Sequence, residues 1–374
     1  MICLSHRSIE IAVLPVLLFC SFFGLACYAE NSELKVATPG FAFSFPRDHG
    51  AHPSYETEWW YYTGQLYQKG AEPFRDPPAY GFQLTFFRRA SSIGSGLTQD
   101  YMSHAAITDI KGGRTLFSAR TGGGALGLAN VSTSNLMAWS GDWSADLIGE
   151  QHLLRYALPI GGENGPRADT LFVRLLATPS SGIWLQGEDG FSRKGKCPSC
   201  ASIYYSLPAM KIEGALNREN KLEPISGIGW MDHEFMSNSM EKDQQGWDWA
   251  GLMFRDGRRL TVFQMRSTSG GVDFRGGSIR VGERSISLKN EDFSMTPTKM
   301  WRSPSSQIEY PISWRVQVPG HGIDIEVGAR VAACEVGSSG EKDLPTYWEG
   351  PVASADESVL GYLEMTGYAG RMEL

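Results

Sequence analysis

A chain of 374 residues exceeds the usual span of one hydrophobic core and predicts two domains of ordinary size. Its 43 glycines, 11 tryptophans and 14 tyrosines, with no long Ala/Glu/Lys/Leu-rich periodic tract, favour strands and turns over a helical bundle. The formal charge of −7 and the scattered basic residues argue against a phosphate-tracking surface, so nucleic acid is not an expected partner.

Arg7, an apolar run over residues 11–27 and the polar segment Glu30-Asn31-Ser32-Glu33 follow the order of a secretory signal peptide. The expectation is a signal over residues 1–29, cleaved after Cys27-Tyr28-Ala29, and an exported protein of the periplasm or the medium. Two alternatives stand beside it. Gly24-Leu25-Ala26-Cys27 resembles a lipoprotein box with Gly at its first position, which would attach a lipid to Cys27. The run is also only slightly shorter than the roughly 20 residues of a spanning helix, which would make it an uncleaved anchor. Once Cys3, Cys20 and Cys27 leave with the signal, Cys197, Cys200 and Cys334 remain, an odd count. Cys197-Pro198-Ser199-Cys200 has redox-motif spacing without a βαβ pattern around it, so a loop disulfide or two idle thiols is expected. A second ligand pair for zinc is missing.

Short alternating runs bounded by Gly, Pro, Asn and Asp recur along the rest of the chain. Residues 58–66 and 80–88 form the first strong strand pair, separated by a loop carrying Pro73, Pro77 and Pro78. Residues 247–254 and 260–266 flank Asp256-Gly257, a strong hairpin signal. If those two residues are the whole loop, Arg255 faces Arg258, Trp249 lies opposite Gln264 and Trp247 opposite Arg266. Trp247, Trp249, Gln264 and Arg266 then share a face with Gly251, Met253, Leu260 and Val262, and Asp248 faces the other way beside Ala250, Leu252 and Phe263. The two hairpins also resemble each other: Trp60 precedes Gly64 as Trp247 precedes Gly251, and their second strands end at Arg88 and Arg266. That similarity suggests a duplicated barrel. Gly, Asn and Pro punctuate residues 214–228, which places the boundary near residue 222 and gives domains over 36–222 and 223–374.

Several multi-residue motifs follow one another along the chain. They are Phe45-Pro46-Arg47-Asp48-His49-Gly50-Ala51-His52-Pro53, Glu58-Trp59-Trp60-Tyr61-Tyr62-Thr63-Gly64, Gly229-Trp230-Met231-Asp232-His233-Glu234-Phe235, Gly246-Trp247-Asp248-Trp249, Phe263-Gln264-Met265-Arg266, Tyr347-Trp348-Glu349-Gly350 and Gly361-Tyr362-Leu363-Glu364-Met365-Thr366-Gly367-Tyr368. This series resembles the AttH and carotenoid 1,2-hydratase family over essentially the whole mature chain. The resemblance implies an all-β protein of two tandem lipocalin-like antiparallel β-barrels, with the Asp232-His233-Glu234 segment near their junction. It implies, for the characterised hydratases, addition of water to a carbon–carbon double bond of an elongated isoprenoid. Many relatives carry only the description of predicted secreted hydrolase, and some accompany ABC-type export transporters. Phe235 departs from the family, which more often has Trp there; if that ring belongs to a cation-stabilising wall, the change bears on carotenoid hydration itself.

Hydrating an unactivated alkene requires a strong proton donor, a surface that stabilises the cation and a base that delivers water. Asp232, His233, Asp248 and Glu58 are the candidates for proton handling, because a carboxyl among aromatic rings has its pKa raised. Trp59, Trp247 and Trp249 are candidate π faces, with Gln264 and Arg266 beside them as ligand-binding residues in the hairpin count. Structural roles compete with each assignment. Asp232 and Glu234 can cap a turn or pair with Arg, His233 can be a satisfied interface histidine, the tryptophans can fill a core, and His49, His52 and Glu56 can hold the N-terminal segment down. Adjacent side chains of an extended segment point to opposite faces, so Asp232, His233 and Glu234 do not converge on one ion. With no His-Glu-x-x-His pattern either, no metal or other cofactor is expected. A Gly-x-Ser-x-Gly elbow is likewise absent, which leaves a secreted-hydrolase function resting on analogy. The expected ligand is an apolar lipid or isoprenoid held at the two-barrel junction, with acid-catalysed hydratase-type chemistry or, alternatively, simple carriage in concert with an ABC-type transporter. Catalysis requires the acids to share a cavity with the tryptophans; carriage requires only the cavity.

Overall fold

The computed structural model describes residues 34–93, 96–124, 127–160, 169–237, 240–337 and 345–372. The expected signal over residues 1–29, with Cys27, lies outside the described residues. No helix among the described residues is long and apolar enough to cross a membrane.

The chain is all-β, as expected, and its strands form two antiparallel sheets. The first contains β1 (Thr57–Gln68), β2 (Tyr80–Ile93), β3 (Gly96–Asp109), β4 (Arg114–Gly123), β5 (Ala129–Val131), β6 (Met137–Ser140), β7 (Trp143–Ile148), β8 (Gln151–Pro159), β9 (Thr170–Thr178), β10 (Trp184–Leu185), β11 (Phe191–Arg193), β12 (Ala201–Arg218) and β13 (Lys221–Met236). The second contains β14 (Gln244–Phe254), β15 (Arg259–Ser267), β16 (Val272–Val281), β17 (Arg284–Leu288), β18 (Ser294–Arg302), β19 (Glu309–Val318), β20 (Ile323–Ala329), β21 (Glu335–Val336), β22 (Tyr347–Ala353) and β23 (Val359–Met365). Strand order is β4-β3-β2-β1-β13-β12-β9-β8-β7-β6-β5 in the first sheet and β17-β16-β15-β14-β23-β22-β20-β19-β18 in the second.

Each sheet curls into a barrel-like unit around its own apolar interior. In the first, the edges meet through side chains: Tyr101 Oη donates to Asn130 Oδ1 (2.8 Å) and Arg120 Nη1 to the Ser140 carbonyl (2.7 Å). Its interior holds Trp60, Leu84, Trp143, Leu154 and Leu175, and that of the second holds Leu252, Val262, Trp314, Val316 and Trp348. A third cluster, with Tyr61, Trp230, Trp249, Phe263 and Tyr362, joins residues of β1 and β13 to residues of β14, β15 and β23, where the outer faces of the two sheets meet.

Two details of the sequence reading are corrected by strand pairing. Residue 222 lies inside the first sheet, because β13 stands between β1 and β12 and the chain passes to the second sheet only between Met236 and Gln244. The Gly/Asn signal there marks a tight hairpin turn, with Glu219 and Asn220 both at positive φ (50° and 60°) between the paired Arg218 and Lys221. The β14–β15 loop has three residues, not two. Gly257 at φ 96° donates its N–H to the Phe254 carbonyl (3.0 Å), and the Phe254 N–H bonds the Arg258 carbonyl (3.0 Å). The third loop residue slips the register by one, so Trp247 pairs with Met265, Asp248 with Gln264 and Trp249 with Phe263. Gln264 and Arg266 therefore leave the tryptophan face for that of Asp248, and Phe263 joins the tryptophans. The likeness of the two Trp-x-x-x-Gly strands does not extend to side-chain direction either: Trp60 fills the first interior, whereas Trp247 belongs to the cluster between the sheets.

Candidate functional site

Alternation along β1 decides which residues reach the space between the barrels. Trp60 and Tyr62 point into the first interior, so Trp59 and Tyr61 point out of it. Register extends this across the sheet. Tyr61 pairs with Asp232 on one side and Thr85 on the other, Thr85 with His104, and Asp232 with Ser206. One polar row therefore crosses five strands. Beside it runs a second row, Met102, Phe87, Trp59, Glu234 and Tyr204. The facing sheet presents Glu349, Glu364, Trp249 and Phe263 as one row, with Trp247 and Met265 as a neighbouring pair. Between them lies a cavity of about 580 Å³, lined by residues of both sheets that include Trp59, Tyr61, His104, Asp232, Trp247, Trp249, Glu349 and Glu364.

The cavity gathers carboxyl groups in an apolar setting. Glu349 and Glu364 are direct cross-strand partners, an arrangement that disfavours two like charges. Burial, then the neighbouring Glu364, pushes the Glu349 carboxyl well above its ordinary range. Neither oxygen of Glu349 has a hydrogen-bond partner among the described residues; the Tyr61 and Tyr347 hydroxyls stand beside it without closing a bond of good geometry. Burial raises Glu364 to about 7 although the Trp247 indole N–H donates to its Oε2 (3.1 Å). Asp232 is raised to about 7 by burial, against the opposing hydrogen bonds from Ser206 Oγ (2.5 Å) and Trp230 Nε1 (2.7 Å) to its Oδ1. Glu234 is tied to Lys194 Nζ (2.6 Å), whose ammonium also lies over the Phe263 ring, 4.2 Å from its centroid. Burial lowers His104 to about 3, so its ring is neutral; Nδ1 lies 2.7 Å from the Tyr347 hydroxyl and Nε2 has no partner among the described residues.

The sequence candidates divide by the same alternation. Asp232, Trp59, Trp247 and Trp249 line the cavity. Glu58 and His233 do not: they sit on the opposite face of their strands, inside the first barrel. Glu58 Oε1 lies 2.8 Å from both His233 Nε2 and His52 Nδ1, and Arg88 Nε donates to its Oε2 (2.9 Å). Burial alone would raise Glu58, but the hydrogen bonds from His233 and His52 and the charge of Arg88 hold it well below its ordinary 4.5. This network ties the segment carrying Asp48, His49 and His52 to the barrel. Three potential ligand atoms of His52, Glu58 and His233 fall within 4.8 Å of one another, yet each is engaged in that network and a fixed guanidinium occupies the second Glu58 oxygen, a poor setting for a divalent ion. Phe235 stacks on His52, with centroids 3.7 Å apart, and belongs to the same buried cluster rather than to the cavity wall. Asp248 lies on the other side of β14, where Gln264 Nε2 and Tyr368 Oη donate to it (both 2.9 Å) and Arg266 Nε stands at 3.3 Å. Gln264 and Arg266 thus partner Asp248 and do not line the cavity.

Reasoning from sequence missed Glu349, Glu364, Tyr61 and His104. The first two carried a signal, as single charged residues inside otherwise apolar strand motifs, Trp348-Glu349-Gly350 and Leu363-Glu364-Met365. Elsewhere Cys197 and Cys200 form the short loop disulfide, and Cys334 is a buried free thiol.

The model of the AttH-like family matches residues 36–368. The crystal structure of a protein assigned as AttH from Nitrosomonas europaea is 30% identical, covers 90% of this chain and 100% of its own, and superposes with a TM-score of 0.77. Kievitone hydratase from Nectria haematococca, 12% identical over 91% of this chain and 97% of its own, shares the fold with a TM-score of 0.60. No curated protein matches the sequence.

Proposed function

The chain belongs to the AttH-like family, and from that premise we propose that the cavity between its barrels adds water to a carbon–carbon double bond of an apolar lipid or isoprenoid ligand by acid catalysis. One observation carries the reading: a buried carboxyl, Glu349, has both oxygens unpartnered in a cavity whose walls include Trp59, Trp247 and Trp249. A neutral carboxylic acid in that position donates a proton to one alkene carbon, and the cation left on the other faces indole rings. Water then forms the new carbon–oxygen bond while a carboxylate, Glu364 or Asp232, takes its proton. Because Glu349 and Glu364 are cross-strand neighbours, the proton returns to Glu349 and the pair is reset. The separation of roles follows from environments that push paired carboxyls apart.

A volume of about 580 Å³ lies within the usual span of small-molecule sites. Export, as the N-terminal residues predict, would require such a ligand to come from a membrane or a transporter.

Native mass spectrometry of the protein purified from its own periplasmic or membrane fraction tests the proposal, comparing wild type with Glu349→Gln and Glu364→Gln. A bound ligand heavier by one water in wild type and unmodified in both variants supports the hydratase. The same unmodified ligand in all three proteins replaces it with a carrier.

A further inference from the structure

The hydration reading uses a proton of Glu349 but leaves its neighbours without a task. Tyr61 Oη and His104 Nε2 are buried without partners among the described residues, as are both Glu349 oxygens. An unsatisfied buried polar group costs about 1–3 kcal/mol, so three such residues along one cavity wall call for a ligand group that satisfies them. They meet around Glu349: Tyr61 comes from β1, His104 from β3 and Glu349 from β22, the Tyr61 and Tyr347 hydroxyls both stand beside the Glu349 carboxyl, and Tyr347 links it to His104, its hydroxyl 2.7 Å from Nδ1. Burial keeps the Tyr61 and Tyr347 hydroxyls protonated, because it raises both well above 10. The wall therefore offers O–H donors held in an apolar space, and the group that matches converging donors is a single acceptor oxygen.

We propose that this wall is an oxyanion site for a ligand carbonyl, so that the ligand is an apolar ketone or enone whose oxygen accepts hydrogen bonds from Tyr61 and the Glu349 carboxyl. A phenol and a neutral carboxylic acid acting together in an apolar pocket stabilise an enolate in this way. The water-adding part rests on the proposed hydratase function; proton exchange beside the carbonyl does not. In conjugate hydration the oxygen of water bonds to the β-carbon while Glu364 takes its proton, the π pair moves to give the enolate, and the enolate takes that proton back at the α-carbon. On such an enone Glu349 keeps its proton, and this carbonyl-held route takes the place of carbon protonation by Glu349. In exchange, Glu364 removes a proton from the saturated carbon next to the carbonyl, the electron pair moves onto the held oxygen, and a proton from solvent returns to that carbon by way of the same carboxyl.

Two probes test this on the full mature chain. The first pair is 2-naphthol, an aromatic analogue of an enolate, against naphthalene, which has the same rings without the oxygen. In wild type 2-naphthol binds at least about tenfold more tightly, as hydrogen bonds of ordinary strength require. Tyr61→Phe and Glu349→Gln bring the two ligands close to parity while naphthalene affinity stays as in wild type, which also shows that the cavity has folded. The second probe is β-ionone, an isoprenoid enone, incubated in D₂O and followed by NMR. Deuterium enters the position α to the carbonyl faster with the protein than in buffer, and at least about tenfold more slowly in Glu364→Gln and Glu349→Gln. Equal affinity of the wild type for 2-naphthol and naphthalene overturns the carbonyl site, as does exchange no faster than in buffer. Exchange without any hydrated native ligand leaves the carbonyl site standing and removes the hydratase. A hydrated native ligand with no preference for 2-naphthol does the reverse.

Discussion

Asp232→Asn makes the protein more stable in mild alkali while impairing any chemistry in the cavity. The carboxyl is 3% exposed and is raised from its ordinary 3.8 to about 7. Since the folded-state pKa lies above the unfolded one, its contribution to stability is fully present below pH 3.8 and is lost as pH rises through 7. A shift of that size corresponds to about 4 kcal/mol at 1.36 kcal/mol per unit, an upper bound because solvent relaxation softens burial. The amide oxygen introduced by the substitution can accept the same bonds from Ser206 and Trp230, so the change removes charge with little change of shape. Urea unfolding at pH 4, 6 and 8.5 measures the effect. Wild type and variant coincide at pH 4, and the variant is more stable by about 2–4 kcal/mol at pH 8.5, with the same urea dependence of the free energy. Other titrating groups are common to both proteins, so the difference reports this carboxyl together with its repulsion of Glu364. Parallel pH curves, or a variant less stable than wild type at pH 8.5, would refute the argument that burial dominates at Asp232.

Three further outcomes follow from the geometry. Glu58→Gln leaves the Arg88 guanidinium buried without its counter-charge and lowers stability by about 3–5 kcal/mol at pH 7. Because Glu58 is held below 4.5, the loss shrinks as pH falls beneath that value in urea unfolding, and naphthalene still binds the folded variant as it binds wild type. Gly251→Ala places a Cβ 2.6 Å from the Trp249 ring and within 3.3 Å of Trp230, so the Trp249 indole must move; affinity for an apolar probe falls about tenfold, read by titration of tryptophan fluorescence. Phe235→Trp overfills the stack on His52 and costs about 1–3 kcal/mol in urea unfolding, with no effect on ligand affinity; a changed affinity would return that ring to the cavity.

The fold was legible because alternating runs and Gly-, Asn- and Pro-marked turns identify strands locally, and the ordered motifs identify the arrangement of barrels. The site was legible only in part, for a reason that particular residues make plain. Asp232 and His233 are adjacent, and the alternation that keeps Asp232, His233 and Glu234 from one metal ion also keeps Asp232 and His233 from one cavity. At the β14–β15 hairpin a single extra loop residue moved Gln264 and Arg266 to the far face and brought Phe263 to the near one. Glu349 and Glu364 stood out as lone charges in apolar strand motifs, but no local pattern tells which outer face will be covered by the other barrel, so their meeting at one cavity was not legible.

The useful clue lies in strands buried on both faces. In β1 every residue except Trp59 and Gln68 is buried, and β22 is buried from Tyr347 to Val352. Where both faces are covered, the hydrophobic alternation that separates inside from outside disappears, and every polar residue needs a partner or a purpose. On the interior faces the buried carboxylates have partners, although the Tyr156 and Tyr310 hydroxyls there have none among the described residues: Glu58 has His52, His233 and Arg88, and Asp248 has Gln264, Tyr368 and Arg266. On the faces between the barrels they are incomplete, since Tyr61, His104 and Glu349 keep unpaired atoms among the described residues. Glu58 is pushed down by its partners and Glu349 is pushed up for lack of them, so two buried glutamates in one chain serve opposite ends. The satisfied carboxylate holds the fold, and the unpartnered carboxyl beside the cavity, kept neutral by burial, is the one that the proposed chemistry uses.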